Sequence, residues 1–306
     1  MVHADTTAAA GLAPASIHPA TAKQSGRDER FIDDETDSLV RAVRRLDLML
    51  FHTDPAVVKE AEQAGVAGFI VDWERRGKAQ RQAGQGTQIN QDTLADLVRV
   101  RESTTALVLC RINGFGPWTR RDVDRAVDAG ADEILLPMVR TAHAVDVVLG
   151  WVADRCQVGI LIETQDAVQQ AADLARRPLS RVYVGLNDLR IDRRSTQLFE
   201  PLIDGTVEQL REAVGRIPFG VAGLTLPDRG SPVPSTLLAA ELVRIDADFT
   251  FLRRSFLADT AGRPLRPAIS AIHLHLGELA AREPSARQAD QLTLAQALGR
   301  HVDRPA

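Results

Sequence analysis

A closed (β/α)8 barrel of the α/β class is the fold this sequence predicts, and three observations predict it. From Leu46 onward, eight short apolar runs alternate with amphipathic helical patterns, the mark of a parallel sheet covered on its faces. The 306 residues are 44% hydrophobic and 25% charged, enough for one large core of the size such barrels have. No G-x-G-x-x-G follows the first apolar run, which removes the strongest sign of an open, doubly wound sheet.

Residues 1–42 are rich in Ala, Thr, Pro and charge without sustained periodicity, and read as a disordered tail before a barrel over 43–283. The strands are expected at Leu46–His52, Gly68–Glu74, Ala106–Asn113, Glu133–Val139, Gln157–Thr164, Arg181–Leu186, Phe219–Leu226 and Phe249–Ser255. Helical spacing fills the intervals at Pro55–Ala64, Gln91–Arg101, Arg120–Ala129, Ala142–Asp154, Ala167–Arg177, Ile203–Val214 and Thr236–Arg244. The eighth helix should start near Pro267, since proline suits a first helical turn. After Pro284 a further helix is expected within 284–306, with Leu292, Leu294, Ala295 and Leu298 as its apolar side. Its packing partner is either a neighbouring subunit or the floor of its own barrel.

The formal net charge of −4 gives no general attraction to nucleic acid or anionic membranes, and no apolar run approaches membrane-spanning length. The N-terminus makes a poor secretory signal, and Cys110 and Cys156 read as reduced thiols, so a cytoplasmic protein is expected. Lys23, Lys59 and Lys78 are the only lysines. They are assigned to the tail, the first helix and a loop, an arrangement that argues against Schiff-base chemistry.

In such barrels the reactive groups sit at the C-terminal ends of the strands. That rule selects His52, then Asp72 and Glu74, Arg111 and Asn113, Glu163, and Asn187 with Asp188. Glu163 and Asp188 are separated by one βα repeat, so they crown adjacent strands. Two neighbouring carboxylates repel unless a cation joins them, and Mg2+ is typically held by one or two carboxylates plus substrate and water oxygens. A 2-oxo acid offers two oxygens to such an ion. Arg111, permanently charged and planar, suits a carboxylate or an enolate oxygen, while a salt bridge to Glu163 or Asp72 is its structural alternative. Arg75–Gln88 is a charged, Gly-bearing loop suited either to closing over an anionic substrate or to plain solvation, and Arg253 with Arg254 could read a second carboxylate.

The stretches GVAGFIVDWE (65–74), Arg111-Ile112-Asn113, AGADEILLPMV (129–139), GILIETQDA (159–167) and VYVGLNDL (182–189) occur in order. Together they resemble the HpcH/HpaI aldolase and citrate lyase β-chain family of metal-dependent pyruvate-binding barrels. The resemblance implies a divalent ion (Mg2+, or Mn2+ or Co2+) on Glu163 and Asp188, and an enolate oxygen steadied by Arg111. It also implies that backbone N–H groups near Asn187 and Asp188 hold the substrate carboxylate, with Pro137 and Met138 lining the substrate site. A homo-oligomer, trimer or hexamer, is the family habit. One departure stands out: the aldolase branch has a histidine after the acid closing strand two, where this chain has Arg75. His52 is then the first candidate for general base, with Glu74 and Asp72 as rivals. The expected activity is a C–C lyase acting through the enolate of a pyruvate- or oxaloacetate-like 2-oxo acid. An acyl-CoA lyase or thioesterase, and a non-catalytic barrel kept as a scaffold, are the alternatives.

Overall fold

The computed structural model describes residues 46–78 and 91–302, without side chains for the last three; the expected tail lies outside the described residues. Eight parallel strands close into a barrel in simple sequence order, β1 pairing with both β2 and β8. They are β1 Asp47–Phe51, β2 Gly68–Asp72, β3 Leu107–Arg111, β4 Glu133–Leu136, β5 Gln157–Ile162, β6 Arg181–Val184, β7 Phe219–Leu224 and β8 Phe249–Leu252. Each begins where expected, to within a residue, and ends one to three residues earlier. The polar residues beyond the strand tops belong to loops, except Asn187 and Asp188, which open α7 after β6.

Between them run α1 Pro55–Ala64, α2 Leu94–Ser103, α3 Thr119–Asp128, α4 Ala142–Val152, α5 Gln165–Gln169, α6 Ala171–Leu174, α7 Leu186–Arg193 and α8 Thr206–Val214. After them come α9 Ser235–Arg244, α10 Phe256–Asp259, α11 Leu265–Ala280 and α12 Pro284–Val302. The starts follow local chemistry. Asp54 caps α1, accepting from the Ala56 and Val57 amides, while Thr93 and Asp96 form a capping box on α2. The helix expected over 167–177 is two short pieces broken at Gln170, whose side-chain amide bonds the Arg140 carbonyl and the Ala142 amide. The eighth helix starts at Leu265, two residues before Pro267. Proline fits that position because first-turn N–H groups have no intrahelical acceptor.

α12 lies against α9 of its own chain. Leu294 and Leu298 are buried there, and Gln291 donates to Glu208. The apolar face for which a neighbouring subunit was one expected partner is therefore covered within the chain, while Leu292 remains exposed.

Strand residues alternate between two layers, as the two-residue period requires. Outward residues pack on the helices, and inward ones fill the barrel with Met49, Ile70, Leu109, Leu135, Leu161, Tyr183, Phe249 and Phe251. The barrel floor carries a buried ion pair, Arg181 Nε lying 2.8 Å from both Glu133 carboxylate oxygens. Gly159 makes room for it, since a Cβ there would lie 2.4 Å from Glu133 Oε1. No helix among the described residues is long and apolar enough to cross a membrane.

Candidate active site

The same alternation builds the site. Two residues beyond the apolar interior positions Ile70, Leu109 and Leu161 come Asp72, Arg111 and Glu163, so the inward face turns from apolar to charged at the barrel mouth. All three are buried. Arg111 holds Asp72 with two nitrogens, Nε to Oδ1 at 2.9 Å and Nη2 to Oδ2 at 2.6 Å, and its guanidinium covers the Phe51 ring at 5.0 Å. The neighbouring amides complete Asp72's surroundings: Glu74 N–H donates to its Oδ1, and its own N–H donates to Asp92. Despite full burial, the charges of Arg111 and Lys78 hold the Asp72 carboxyl down at about 2. The structural alternative for Arg111 is thus part of what it does, and the guanidinium also lines the cavity above.

Lys78 follows β2 in the connecting segment, as expected, yet it reaches the mouth. It is buried, with Nζ 3.0 Å from Glu74 Oε2 and 3.3 Å from Asp72 Oδ2, and it lines the same cavity as Arg111. The loop after β2 folds inward because Asn113 accepts from the Arg75 and Arg76 amides at 3.0 Å each while donating to Asp122. Asn113 therefore works as a loop anchor. The spacing Asp72, Glu74, Lys78 was a signal in the sequence, since a turn after Glu74 brings the third residue back onto the first two.

Glu163 stands opposite. Its Oε1 accepts from the Met138 amide at 2.8 Å, and Met138 adopts a left-handed backbone (φ 54°) in the tight turn that aims this N–H inward. Gly185 gives the carboxylate its space: a Cβ there would lie 2.5 Å from Glu163 Oε2. Burial, then repulsion from Glu74 and Asp188, pushes the Glu163 carboxyl up to about 8. Asp188 is buried in the first turn of α7, following Leu186 and Asn187, and all three face the cavity. First-turn N–H groups have no acceptor inside their own helix and suit an anion.

The cavity has a volume of about 990 Å3. Its floor is Phe51, Leu161, Tyr183 and Phe251, with Arg111, Lys78, Glu163 and Asp188 on one side and the loops after β7 and β8 on the other. The structure thus brings Asp72, Glu74, Arg111, Glu163, Asn187 and Asp188 together. It does not bring His52 in: the inward residue at the top of β1 is Phe51, and the His52 imidazole accepts from the Asp54 amide outside the cavity lining. Burial pulls that imidazole below its ordinary value, with Asp54 opposing. Pro137 and Met138 are also outside the lining, and Met138 serves Glu163 through its backbone.

Among the described residues no three His, Cys, Asp or Glu side chains gather into a complete metal cage. Glu163 and Asp188 nonetheless fit a divalent ion that takes its remaining ligands from substrate and water, because their mutual repulsion is what a cation between them would relieve.

No family model matches the chain. Among solved structures, an HpcH/HpaI aldolase from Desulfitobacterium hafniense shares the fold with a TM-score of 0.54 at 18% identity, over 76% of this chain and 95% of that one. An HpcH/HpaI aldolase/citrate lyase family protein from Burkholderia cenocepacia does so with a TM-score of 0.56 at 13% identity, over 76% and 98%. At these identities the likeness is one of fold. A (3S)-malyl-CoA thioesterase from Cereibacter sphaeroides is 35% identical over 83 residues, which is 26% of this chain and 29% of that relative. The match therefore spans less than a third of that curated relative's length.

Proposed function

We propose that this chain is an enzyme of the HpcH/HpaI aldolase and citrate lyase family, a divalent-metal-dependent lyase that makes or breaks a C–C bond through the enolate of a 2-oxo acid. The observation that carries this reading is the mouth itself. Glu163 and Asp188 lie beside a pinned Arg111, and Gly185 and the Met138 amide hold the Glu163 carboxylate in place. The fold neighbours and the ordered sequence stretches support it.

Glu163 and Asp188 would hold the ion, which when bound supplies the Lewis acid that polarises the substrate carbonyl. The first-turn N–H groups of α7 receive the substrate carboxylate. Arg111, held rigid by Asp72, offers its guanidinium to the oxygen that becomes negative as the enolate forms. Proton transfer falls to Lys78 with Glu74. Lys78 lines the cavity and touches Glu74. Its ammonium would donate a proton to the enolate carbon in the cleavage direction, leaving a neutral amine beside the Glu74 carboxylate, and take it back in the reverse direction. Apolar walls from Phe51, Leu161 and Phe251 keep water from quenching the enolate.

A coenzyme A thioester as substrate is the second reading, favoured by the malyl-CoA thioesterase match. The arginines Arg75, Arg76, Arg121 and Arg125 around a smaller cavity of about 410 Å3 would suit its phosphates.

Isothermal titration of Mg2+ and Mn2+, with and without pyruvate, tests the reading on wild type and the double variant Glu163→Gln/Asp188→Asn. Wild type should bind metal and then the oxo acid, and the double variant neither. Oxo-acid binding that ignores both the metal and the substitutions overturns it.

A further inference from the structure

Across the cavity from Glu163 and Asp188, Arg253 at the end of β8 is held in an unusual way. Its Nε donates to the Gly223 carbonyl at 3.0 Å and its Nη2 to the Val233 carbonyl at 3.4 Å. Among the described residues it forms no ion pair. Of the acidic residues nearby, Asp228 pairs with Arg229 at 3.8 Å, and Asp259 accepts from Thr225 and from Ser255. The surrounding chain is shaped around this side chain. A Cβ on Gly223 would lie 3.2 Å from Arg253 Cγ, and one on Gly230, whose φ is 112°, would meet the Ser235 and Val233 backbone at 2.7 and 2.8 Å before reaching Arg253 Nη1 at 3.2 Å. Burial lowers its pKa from the ordinary arginine value, with the charge of nearby Asp259, which makes no ion pair with it, opposing. Ser231 and Ser255 line the cavity as well, whereas Arg254, also in the lining, lies in the field of Asp72, Glu74 and Asp188.

A guanidinium fixed by main-chain carbonyls and lacking a carboxylate partner is pre-organised for an anion, and desolvation makes that anion worth more. The cavity, at about 990 Å3, also far exceeds what a three-carbon acid fills. We propose that Arg253 is a second anion subsite that takes the carboxylate or phosphate at the far end of the substrate. The substrate is then an elongated molecule with two anionic ends. The reacting end rests on the function proposed above, whereas anion binding at Arg253 does not.

Titrating succinate and inorganic phosphate into metal-free wild type and Arg253→Gln tests the subsite by itself. Wild type should bind at least one of them, and R253Q should bind it roughly tenfold to a hundredfold more weakly, the range of a lost charge-assisted pair. Preference for succinate assigns a carboxylate end, and preference for phosphate a phosphate ester. Absence of binding by wild type, or equal binding by R253Q, overturns the subsite. A second titration, of pyruvate and 2-oxoglutarate with Mg2+, separates the two ideas. If succinate or phosphate depends on Arg253 while neither oxo acid binds, the subsite stands and the proposed function falls. If both oxo acids bind equally to wild type and R253Q, the function stands and the subsite falls. Should R253Q fail to fold, phenylglyoxal labelling of wild type, read by peptide mass spectrometry, replaces it. Bound anion should slow modification of Arg253, and unslowed modification overturns the assignment.

Discussion

Arg111 grips Asp72 through two parallel hydrogen bonds, 2.9 and 2.6 Å long, so the guanidinium that faces the cavity cannot swing. Removing one partner of a buried pair costs about 3–5 kcal/mol, and here Arg111 would keep only the longer, 3.6 Å contact to Glu74. Asp72→Asn should therefore lower the urea midpoint strongly and reduce activity through a displaced Arg111.

The same carboxyl sets an acid limit. Its folded value, about 2, lies below the ordinary 3.8, so its contribution is fully present above 3.8 and is lost as pH falls toward 2. The shift corresponds to roughly 2 kcal/mol. Urea denaturation at pH 5 and pH 2.5 should show wild type losing about that much more than D72N.

Glu163 behaves oppositely. A carboxyl raised from 4.5 to about 8 favours its neutral form in the folded chain, so metal-free stability declines as pH rises from 4.5 to 8 and then levels. Glu163→Gln, which has no such proton to lose, should melt higher than wild type at pH 9 without metal, yet bind no Mg2+. A wild-type Mg2+ affinity that climbs with pH up to about 8 would accompany it, because the ion must displace the proton. Calorimetric titration at pH 6, 7 and 8 reads this directly.

Gly185 separates the ligand's geometry from its charge. Its φ is −85°, an ordinary value, so an alanine brings no backbone strain, only a Cβ 2.5 Å from Glu163 Oε2. Gly185→Ala should keep its fold and lose metal affinity by about tenfold or more, roughly 1.4 kcal/mol. Unchanged Mg2+ binding in a folded G185A would show that Glu163 can work from elsewhere.

The barrel was legible because periodicity, strand spacing and length all report the same core. The placement of Glu163, Asp188 and Arg111 followed from the rule that strand tops carry chemistry. Three site features were not legible, each for a physical reason. His52 follows an inward Phe51, and the two-residue alternation that turns Phe51 in leaves the imidazole outside. Met138 contributes through a left-handed backbone that no side-chain pattern announces. Lys78 lies in a stretch whose charge resembles solvated surface, and it is the Asn113 bonds to two successive amides, a long-range contact, that fold it inward.

Lys78 gives the sharpest test of the chemistry. Its Nζ sits between Asp72 and Glu74 and on the cavity wall, so both a structural and a proton-transfer role would suffer in Lys78→Met. The methionine variant should lose about 3 kcal/mol of stability, since buried carboxylates lose a counter-charge, and about 100- to 10,000-fold in kcat. Lys78→Arg separates the two roles. It retains the charge, but a guanidinium is a far weaker acid than an ammonium, so it should recover most of the stability and little of the kcat. Recovery of both would reduce Lys78 to an ion-pair partner. An ammonium engaged by two carboxylates is also a poor nucleophile, so borohydride added with pyruvate should leave the mass of the protein unchanged. A reduced adduct on Lys78 would instead make this a Schiff-base enzyme and move Glu163 and Asp188 out of the metal role.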